Sequence, residues 1–290
     1  MQGTVINALS GFYYVSSDAV YSCRLRGKLK NYGYPLVGDR VEFTSVSPSE
    51  GIIEAVFPRK NEFIRPAVSN IDAMVFIASR AIPCTDPFLI DRVSVIAEDK
   101  GCEFIVCFNK NDLVDSDELV SVYSDCGFTA VSVSAATGDG FDSLLSALKG
   151  KVSVLTGNSG VGKSSIINRL LGADAAEVAE VSEKLGRGKH TTRKVSFYKI
   201  AEDTFTADTP GFASFDVSMV ANITKEKLQY DFPEFADYLK KCRFSDCAHL
   251  REPDCAVTQA LRDGLISESR YNSYCRLYSM ISQHKSWDEA

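Results

Sequence analysis

The sequence predicts three domains in one chain: a small N-terminal β-barrel over residues 1–66, a central α/β domain over 67–220, and a mostly α-helical C-terminal domain over 221–290. Three observations carry that reading. Five short β-like runs separated by turn residues open the chain. Strands then alternate with helices around a glycine-rich loop, "GNSGVGKSS" at 157–165. Three cysteines and a histidine cluster between 242 and 255, inside an otherwise helical segment.

The barrel runs are "TVINA", "GFYYVSS", "AVYSCRLRG", "DRVEFTSV" and "GIIEAVF". Five strands at this spacing fit an OB-fold, and "NEFIRPAVSN" reads as the linker that follows. From residue 71, "AMVFIAS" is a buried strand and "PFLIDRVSVIAEDKG" a helix. "EFIVCFNK" is a strand, "DSDELVSVYSDCG" a helix, "TAVSVSA" a strand and "GFDSLLSALKG" a helix. "KVSVLTG" is a strand entering the glycine-rich loop, "SSIINRLLG" a helix, and "KVSFYKI" and "TFTAD" are strands. Six strands in βαβ order predict a mostly parallel sheet. The C-terminal helices are "FPEFADYLKKC", "AVTQALRDG" and "ESRYNSYCRLYSMISQHK".

Composition narrows the class. A hydrophobic share of 45% and a charged share of 24% over 290 residues are those of a soluble globular protein. No apolar run reaches membrane-spanning length and "MQGTVINALSGFYYV" lacks the features of a signal peptide. A cytoplasmic protein with no membrane partner is therefore expected. Nine cysteines, an odd number, argue against a complete disulfide framework, and clustered thiols in a reducing compartment point to metal. Net charge is −6, with 14 Lys/Arg against 21 Asp/Glu over residues 67–220. Bulk electrostatic binding of nucleic acid is disfavoured, so any RNA contact should be local. "YSCRLRGKLK" in the barrel, four basic residues beside an aromatic, could track an RNA backbone or be a solvated strand edge.

"GNSGVGKS" fits G-x-x-x-x-G-K-[ST]. The loop Gly157, Asn158, Ser159, Gly160, Val161 and Gly162 would wrap phosphate oxygens with backbone N–H groups, and Ser165 continues into the helix. Lys163 would reach the β/γ-phosphates, and Ser164 would supply a Mg²⁺ ligand. "DTPG" at 208–211 ends a strand. Asp208 would hold Mg²⁺ through water and the Gly211 N–H would sense a γ-phosphate. "NKND" at 109–112 also ends a strand. Guanine offers N1–H and N2–H₂, which one carboxylate accepts together, and Asp112 is placed for that pair. Asn109 would tie the loop to its neighbours, and Lys110 would lie along the base plane. "SAATG" would support the base loop through Ser134 and offer the Ala135 N–H to the guanine carbonyl. Four signals at four strand ends converge on GTP.

In "GRGKHTTR" (186–193), Thr191 or Thr192 would complete the Mg²⁺ shell in a segment ordered by γ-phosphate; the residues alone do not choose between them. Phe212 stands where Ras-like enzymes carry a water-orienting glutamine. Another group must do that work or turnover alone must be slow, and His190 is the nearest candidate, with phosphate or partner contact as its other reading. Cys242, Cys247, His249 and Cys255 make a closed set of four ligands, which predicts one structural Zn²⁺. Cysteines 23, 84, 102, 107, 126 and 275 sit in apolar patterns and read as inert core thiols.

With these residues together, the chain resembles the bacterial small-subunit-dependent GTPases of the RsgA (YjeQ/YloQ) family. The resemblance runs through "GFYYV", "RPAVSNID", "NKND", "SAATG", "GNSGVGKSS", "GRGKHTT", "DTPGF" and the C-x₄-C-x-H-x₅-C cluster. It implies an OB-fold, a circularly permuted GTPase domain, a zinc-binding C-terminal domain, and a role in late maturation of the 30S subunit with subunit-stimulated GTP hydrolysis. It also implies a part for His190 in hydrolysis, contact with 16S rRNA, and action as a monomer cycling between GTP and GDP. The alternative is a P-loop GTPase or kinase acting on a non-ribosomal RNA or a small molecule. The base loop and the "DTPG" switch argue against a kinase, and intact Lys163, Ser164 and Asp208 against a structural nucleotide. Permutation leads "DTPGF" straight into the C-terminal domain, which predicts coupling of nucleotide state to residues 221–290.

Overall fold

The structure is a computed structural model that describes residues 1–27, 33–64, 67–172, 195–208 and 223–288. His190, Thr191, Thr192, Gly211 and Phe212 lie outside the described residues, as does part of the basic run at 21–30.

Five strands form a closed barrel: β1 (Gln2–Leu9), β2 (Phe12–Ser16), β3 (Val20–Leu25), β4 (Arg40–Ser47) and β5 (Glu50–Val56). Their order is β1-β2-β3-β5-β4, with β4 pairing back onto β1 and β3 parallel to β5. Alternation builds the interior. Tyr13 and Val15, Tyr21 and Cys23, and Val41 and Phe43 point inward with Val5 and Ile53.

The expected linker is instead folded. β6 (Glu62–Ile64) and β7 (Ala67–Ser69) pair antiparallel, with Phe63 and Val68 buried. A polar anchor explains it. Asp39, fully buried, accepts from Arg59 Nε (2.7 Å) and Nη2 (2.8 Å), from Ser69 Oγ (2.6 Å) and from the Leu36 N–H (2.8 Å). Asn61 bonds both the N–H and the carbonyl of Ile71. Runs of three residues are too short to show a strand period.

A six-stranded sheet contains β8 (Ala73–Ala78), β9 (Glu103–Phe108), β10 (Thr129–Ser132), β11 (Val152–Gly157), β12 (Ser196–Ala201) and β13 (Thr204–Asp208). Its order is β10-β9-β8-β11-β13-β12. β9 and β10 are parallel, as are β11 and β13, while β12 is antiparallel to β13. Every residue of β8 is buried, as a central strand covered on both faces requires. The helices are α1 (Pro87–Asp99), α2 (Asp117–Asp125), α3 (Phe141–Leu148) and α4 (Lys163–Leu171). α1 starts where Asp86 caps the Phe88 N–H and Pro87 occupies the first turn.

Packing groups Met1–Val75, Phe141–Thr156 and Gly162–Ala213 into one compact unit, and Phe76–Gly140, Gly157–Val161 and Ser214–Ala290 into a second. The second unit ends in α5 (Lys225–Leu228), α6 (Ala256–Arg262) and α7 (Glu268–Asp288). Where the sequence reads one helix, "FPEFADYLKKC", the structure has separate 3₁₀ turns, Pro233–Phe235 and Leu239–Lys241. Phe232 and Phe235 are both buried, stack on each other at 5.3 Å and meet the Tyr274 ring at 5.3 and 5.0 Å. Residues three apart eclipse in a 3₁₀ turn, so the tighter turn puts both rings on one side. Among the described residues no helix is long and apolar enough to cross a membrane.

Asp231 is buried in this unit, and its Oδ2 has no hydrogen-bond partner among the described residues. Burial pushes its carboxyl up to about 7, with Asp99 and Glu98 adding to the rise and Lys227 opposing it. A carboxyl raised in the native state binds its proton more tightly folded than unfolded. Its contribution is therefore present at acid pH and is lost as pH climbs from about 4 to about 7. Asp231→Asn, neutral throughout, is expected to raise the melting temperature at about pH 8 and flatten the fall in stability above about pH 5. Thermal melts of both proteins across that range check it; parallel curves would refute it.

Candidate nucleotide site and metal centre

The segment after β9 is held from three sides. Asn109, 2% exposed, donates from Nδ2 to the Val161 carbonyl (2.8 Å) and accepts from the Ala135 N–H at Oδ1 (3.0 Å). Its own N–H donates to the Ala78 carbonyl (2.8 Å). Three strand ends thereby meet at one buried amide. Lys110 adopts a left-handed backbone, φ 66°, a conformation that costs a non-glycine residue about 1 kcal/mol or more. Its ammonium donates to the carbonyls of Ile82 (2.8 Å) and Gly160 (2.9 Å). The lysine thus braces the base loop against the phosphate loop. Asp112 is exposed, and its Oδ1 accepts from Ser134 Oγ at 2.6 Å, while Ser134 Oγ accepts from the Thr137 N–H at 3.1 Å. Ser134 therefore aims the carboxylate. The Ala135 N–H, expected to reach a guanine carbonyl, here donates to Asn109.

β11 runs into the phosphate loop through Gly157 at φ 135°. A Cβ there would lie 2.1 Å from the Ile77 carbonyl oxygen, so no other residue fits. Asn158, Ser159 and Gly160 form the open part of the turn, and the Val161 side chain is fully buried. Gly162, φ 100°, caps α4 in the left-handed region. α4 buries Ile166, Ile167, Leu170 and Leu171, leaving Lys163 half-buried and Ser164 and Ser165 exposed on its first turn. The positive end of a helix dipole at such a start favours an anion. Asp208 pairs in register with Leu155, so the last residue of β13 lies opposite the C-terminal half of β11. Within its own unit, the base loop meets the phosphate loop through Asn109 and Lys110.

In the C-terminal part, the ligand atoms of Cys242, Cys247, His249 and Cys255 all lie within 4.8 Å of one another. His249 Nδ1 is 3.5 Å from Cys242 Sγ and 3.4 Å from Cys255 Sγ, and the two sulfurs are 3.9 Å apart. A tetrahedral ion with bonds of roughly 2.0–2.3 Å needs ligand edges of roughly 3.3–3.8 Å. The edges among Cys242, His249 and Cys255 come close to that range, and with Cys247 beside them the cluster could hold a metal ion. Burial pushes the Cys247 thiol up to about 12, with the neighbouring cysteines adding to the rise. Burial also lowers the His249 pKa, against the pull of Glu252, which favours the neutral form that ligation requires.

The loop that carries these ligands is tied down by residues the sequence analysis missed. Glu252 accepts from the N–H groups of Ala248 (3.0 Å), Leu250 (2.8 Å) and Arg251 (3.0 Å). Burial opposes its charge, and those N–H groups outweigh it, holding the carboxyl below its usual value. Tyr271 and Tyr274 on α7 donate to the carbonyls of His249 (2.7 Å) and Ala248 (2.9 Å). The available signals were a glutamate inside the ligand spacing and two tyrosines three apart on one helix. Of the remaining cysteines, Cys23, Cys102, Cys107 and Cys126 are buried as expected and Cys275 is half-buried. Cys84 is exposed, a correction: it follows Pro83 in the turn after β8, where strand periodicity no longer dictates burial.

Two family descriptions match the chain: an RsgA N-terminal domain over residues 2–53 and an RsgA GTPase over residues 56–218. The chain is 41% identical over 288 residues to the small ribosomal subunit biogenesis GTPase RsgA of Caldanaerobacter subterraneus subsp. tengcongensis, covering 98% of this chain and 96% of that protein. It is 39% identical over 292 residues to the protein of the same name from Clostridium kluyveri, covering 99% and 100%. Among solved structures it is similar to YjeQ from Thermotoga maritima, with a TM-score of 0.81, 35% identity and coverage of 97% and 98%. It is likewise similar to YloQ, described as a circularly permuted GTPase, with a TM-score of 0.80, 33% identity and coverage of 98% and 95%.

Proposed function

This chain belongs to the RsgA GTPase family, and we propose that it hydrolyses GTP as a switch in late maturation of the small ribosomal subunit. The observation that carries the base and its selectivity is Asp112, an exposed carboxylate aimed by the buried Ser134 in a loop braced to the phosphate loop through Asn109 and Lys110. In this reading Asp112 accepts both donors of guanine, and the backbone of residues 157–162 cradles the phosphates. Lys163 neutralises charge that builds on the transferred phosphoryl group. Ser164, Asp208 and Thr191 or Thr192 hold Mg²⁺, which when bound neutralises the β/γ-phosphate oxygens. Gly211 senses the γ-phosphate, and His190 orients the attacking water in place of the glutamine that Phe212 replaces. The Cys₃His cluster holds one structural Zn²⁺.

The partner is the small subunit, as the relatives' names state for them, with 16S rRNA as the contacted component. The protein acts as a monomer made of a barrel (1–66), a GTPase domain (67–220) and a C-terminal domain (221–290). GTP turnover with and without purified 30S subunits tests the reading. Slow basal hydrolysis and an increase on the order of tenfold or more with subunits are expected; equal rates would overturn the switch. In the same assay His190→Ala should bind GTP normally and lose the stimulation.

A further inference from the structure

We propose that Gln229 is the outer partner of the metal centre, a positioning residue that decides which nitrogen of His249 faces the ion. The inference rests on the cluster being a metal site. Nδ1 of His249 faces the sulfurs of Cys242 and Cys255, and Nε2 on the far side of the ring lies 2.7 Å from Gln229 Oε1. An amide oxygen can only accept. The imidazole proton therefore sits on Nε2, and the Nδ1 lone pair points into the cluster.

The amide is oriented independently of the histidine. Gln229 Nε2 donates to the Glu226 carbonyl at 3.0 Å, which leaves Oε1 for the ring. Gln229 opens the turn Gln229–Asp231 directly after α5, beside the fully buried Leu228, so its position comes from outside the ligand loop. The ring is fixed in other directions too. The His249 backbone is left-handed at φ 59°, its carbonyl accepts from Tyr271, and the Phe235 ring meets it edge-on at 6.2 Å. Without an acceptor at Nε2, the proton is free to move to Nδ1, where it would face the position of a cation and block ligation.

Outer partners of this kind are worth roughly 10–100-fold in metal affinity. Gln229→Met keeps the length and removes the acceptor, while Gln229→Glu keeps an acceptor. The full-length chain, stripped of metal under reducing conditions, is titrated with Co²⁺ and with Zn²⁺ against a chromophoric chelator, with unchanged GTP affinity reporting an intact fold. Wild type and Gln229→Glu should bind one ion with matching affinity and the intense visible bands of tetrahedral cobalt thiolate. Gln229→Met should bind roughly 10–100-fold more weakly, with an altered cobalt spectrum. Wild-type affinity and spectrum in Gln229→Met would overturn the proposal, as would tenfold weaker binding by Gln229→Glu. A wild-type chain that takes up neither ion overturns the metal reading itself, which separates the two failures.

Discussion

Asp112→Asn is expected to exchange a preference for GTP for one for XTP, a swing on the order of 10⁴-fold in relative affinity. Guanine presents two donors, N1–H and N2–H₂, to two carboxylate oxygens. Xanthine presents N1–H and a carbonyl, which match the oxygen and the NH₂ of an asparagine. The variant therefore loses a charge-assisted pair with guanine, sets donor against donor, and gains a complementary pair with xanthine. The side chain should stay in place, because Ser134 Oγ, now 2.6 Å from Asp112 Oδ1, can donate equally to the amide oxygen. Ser134→Ala isolates that support. It leaves the carboxylate but not its aim, and should weaken GTP by about tenfold, the scale of one hydrogen bond to a charged group. Competition between GTP and XTP for each protein measures both. Retained GTP affinity in Asp112→Asn would remove Asp112 from base recognition.

The base loop and phosphate loop were legible because each is contiguous. Four or five residues at the end of an apolar run carry their own backbone chemistry, as Gly157 does with its φ of 135° against the Ile77 carbonyl. Their reversed order along the chain was no obstacle. β9 and β11 both neighbour β8, so the strands that deliver "NKND" and "GNSGVGKSS" flank one strand whichever is made first. The cluster of Cys242, Cys247, His249 and Cys255, which could hold a metal, was legible for the same reason: all four fall within one short segment. What stayed hidden was supplied from elsewhere. Gln229 is 20 residues from His249, and Arg270 is 179 residues from Asp91. A lone glutamine or arginine in a helical stretch reads as solvated surface until the fold gives it a distant partner. The hairpin β6–β7 was missed because tertiary anchoring by Asp39, not local period, holds it.

Arg270→Ala is expected to cost about 3–5 kcal/mol of folding stability, far more than an exposed charge would. The Arg270 side chain is 1% exposed and lies between Asp91, 0%, and Glu234, 5%. Nε and Nη2 donate to the two oxygens of Glu234 (2.8 and 3.2 Å), and Nη1 donates to Asp91 Oδ1 (2.9 Å) and Ser94 Oγ (3.0 Å). Tyr123 OH adds a bond to the same Asp91 oxygen at 2.9 Å, and the guanidinium stacks 4.6 Å from the Phe232 ring. Burial alone would lower the Arg270 pKa; the two carboxylates more than reverse that and hold it well above its ordinary value. Deleting the arginine leaves two carboxylates in the interior with no cation, and that uncompensated charge is the source of the cost. Arg243–Asp254, with side chains 64% and 69% exposed, is the control: Arg243→Ala should change stability by about 1 kcal/mol or less. Arg270→Lys keeps the charge but not the fork and should fall between. The consequence extends to the nucleotide. α7 holds α1 through Asp91 and Ser94, and the turn that precedes α1 supplies the Ile82 carbonyl that anchors Lys110. Weakening the C-terminal dock should therefore loosen the base loop and lower GTP affinity along with stability. Denaturant unfolding gives the first quantity and nucleotide titration the second. A loss of stability with GTP affinity intact would confine Arg270 to holding the helix, and a loss no larger than that of Arg243→Ala would show that the apolar contacts of Phe232, Phe235 and Tyr274 dock the C-terminal part without it.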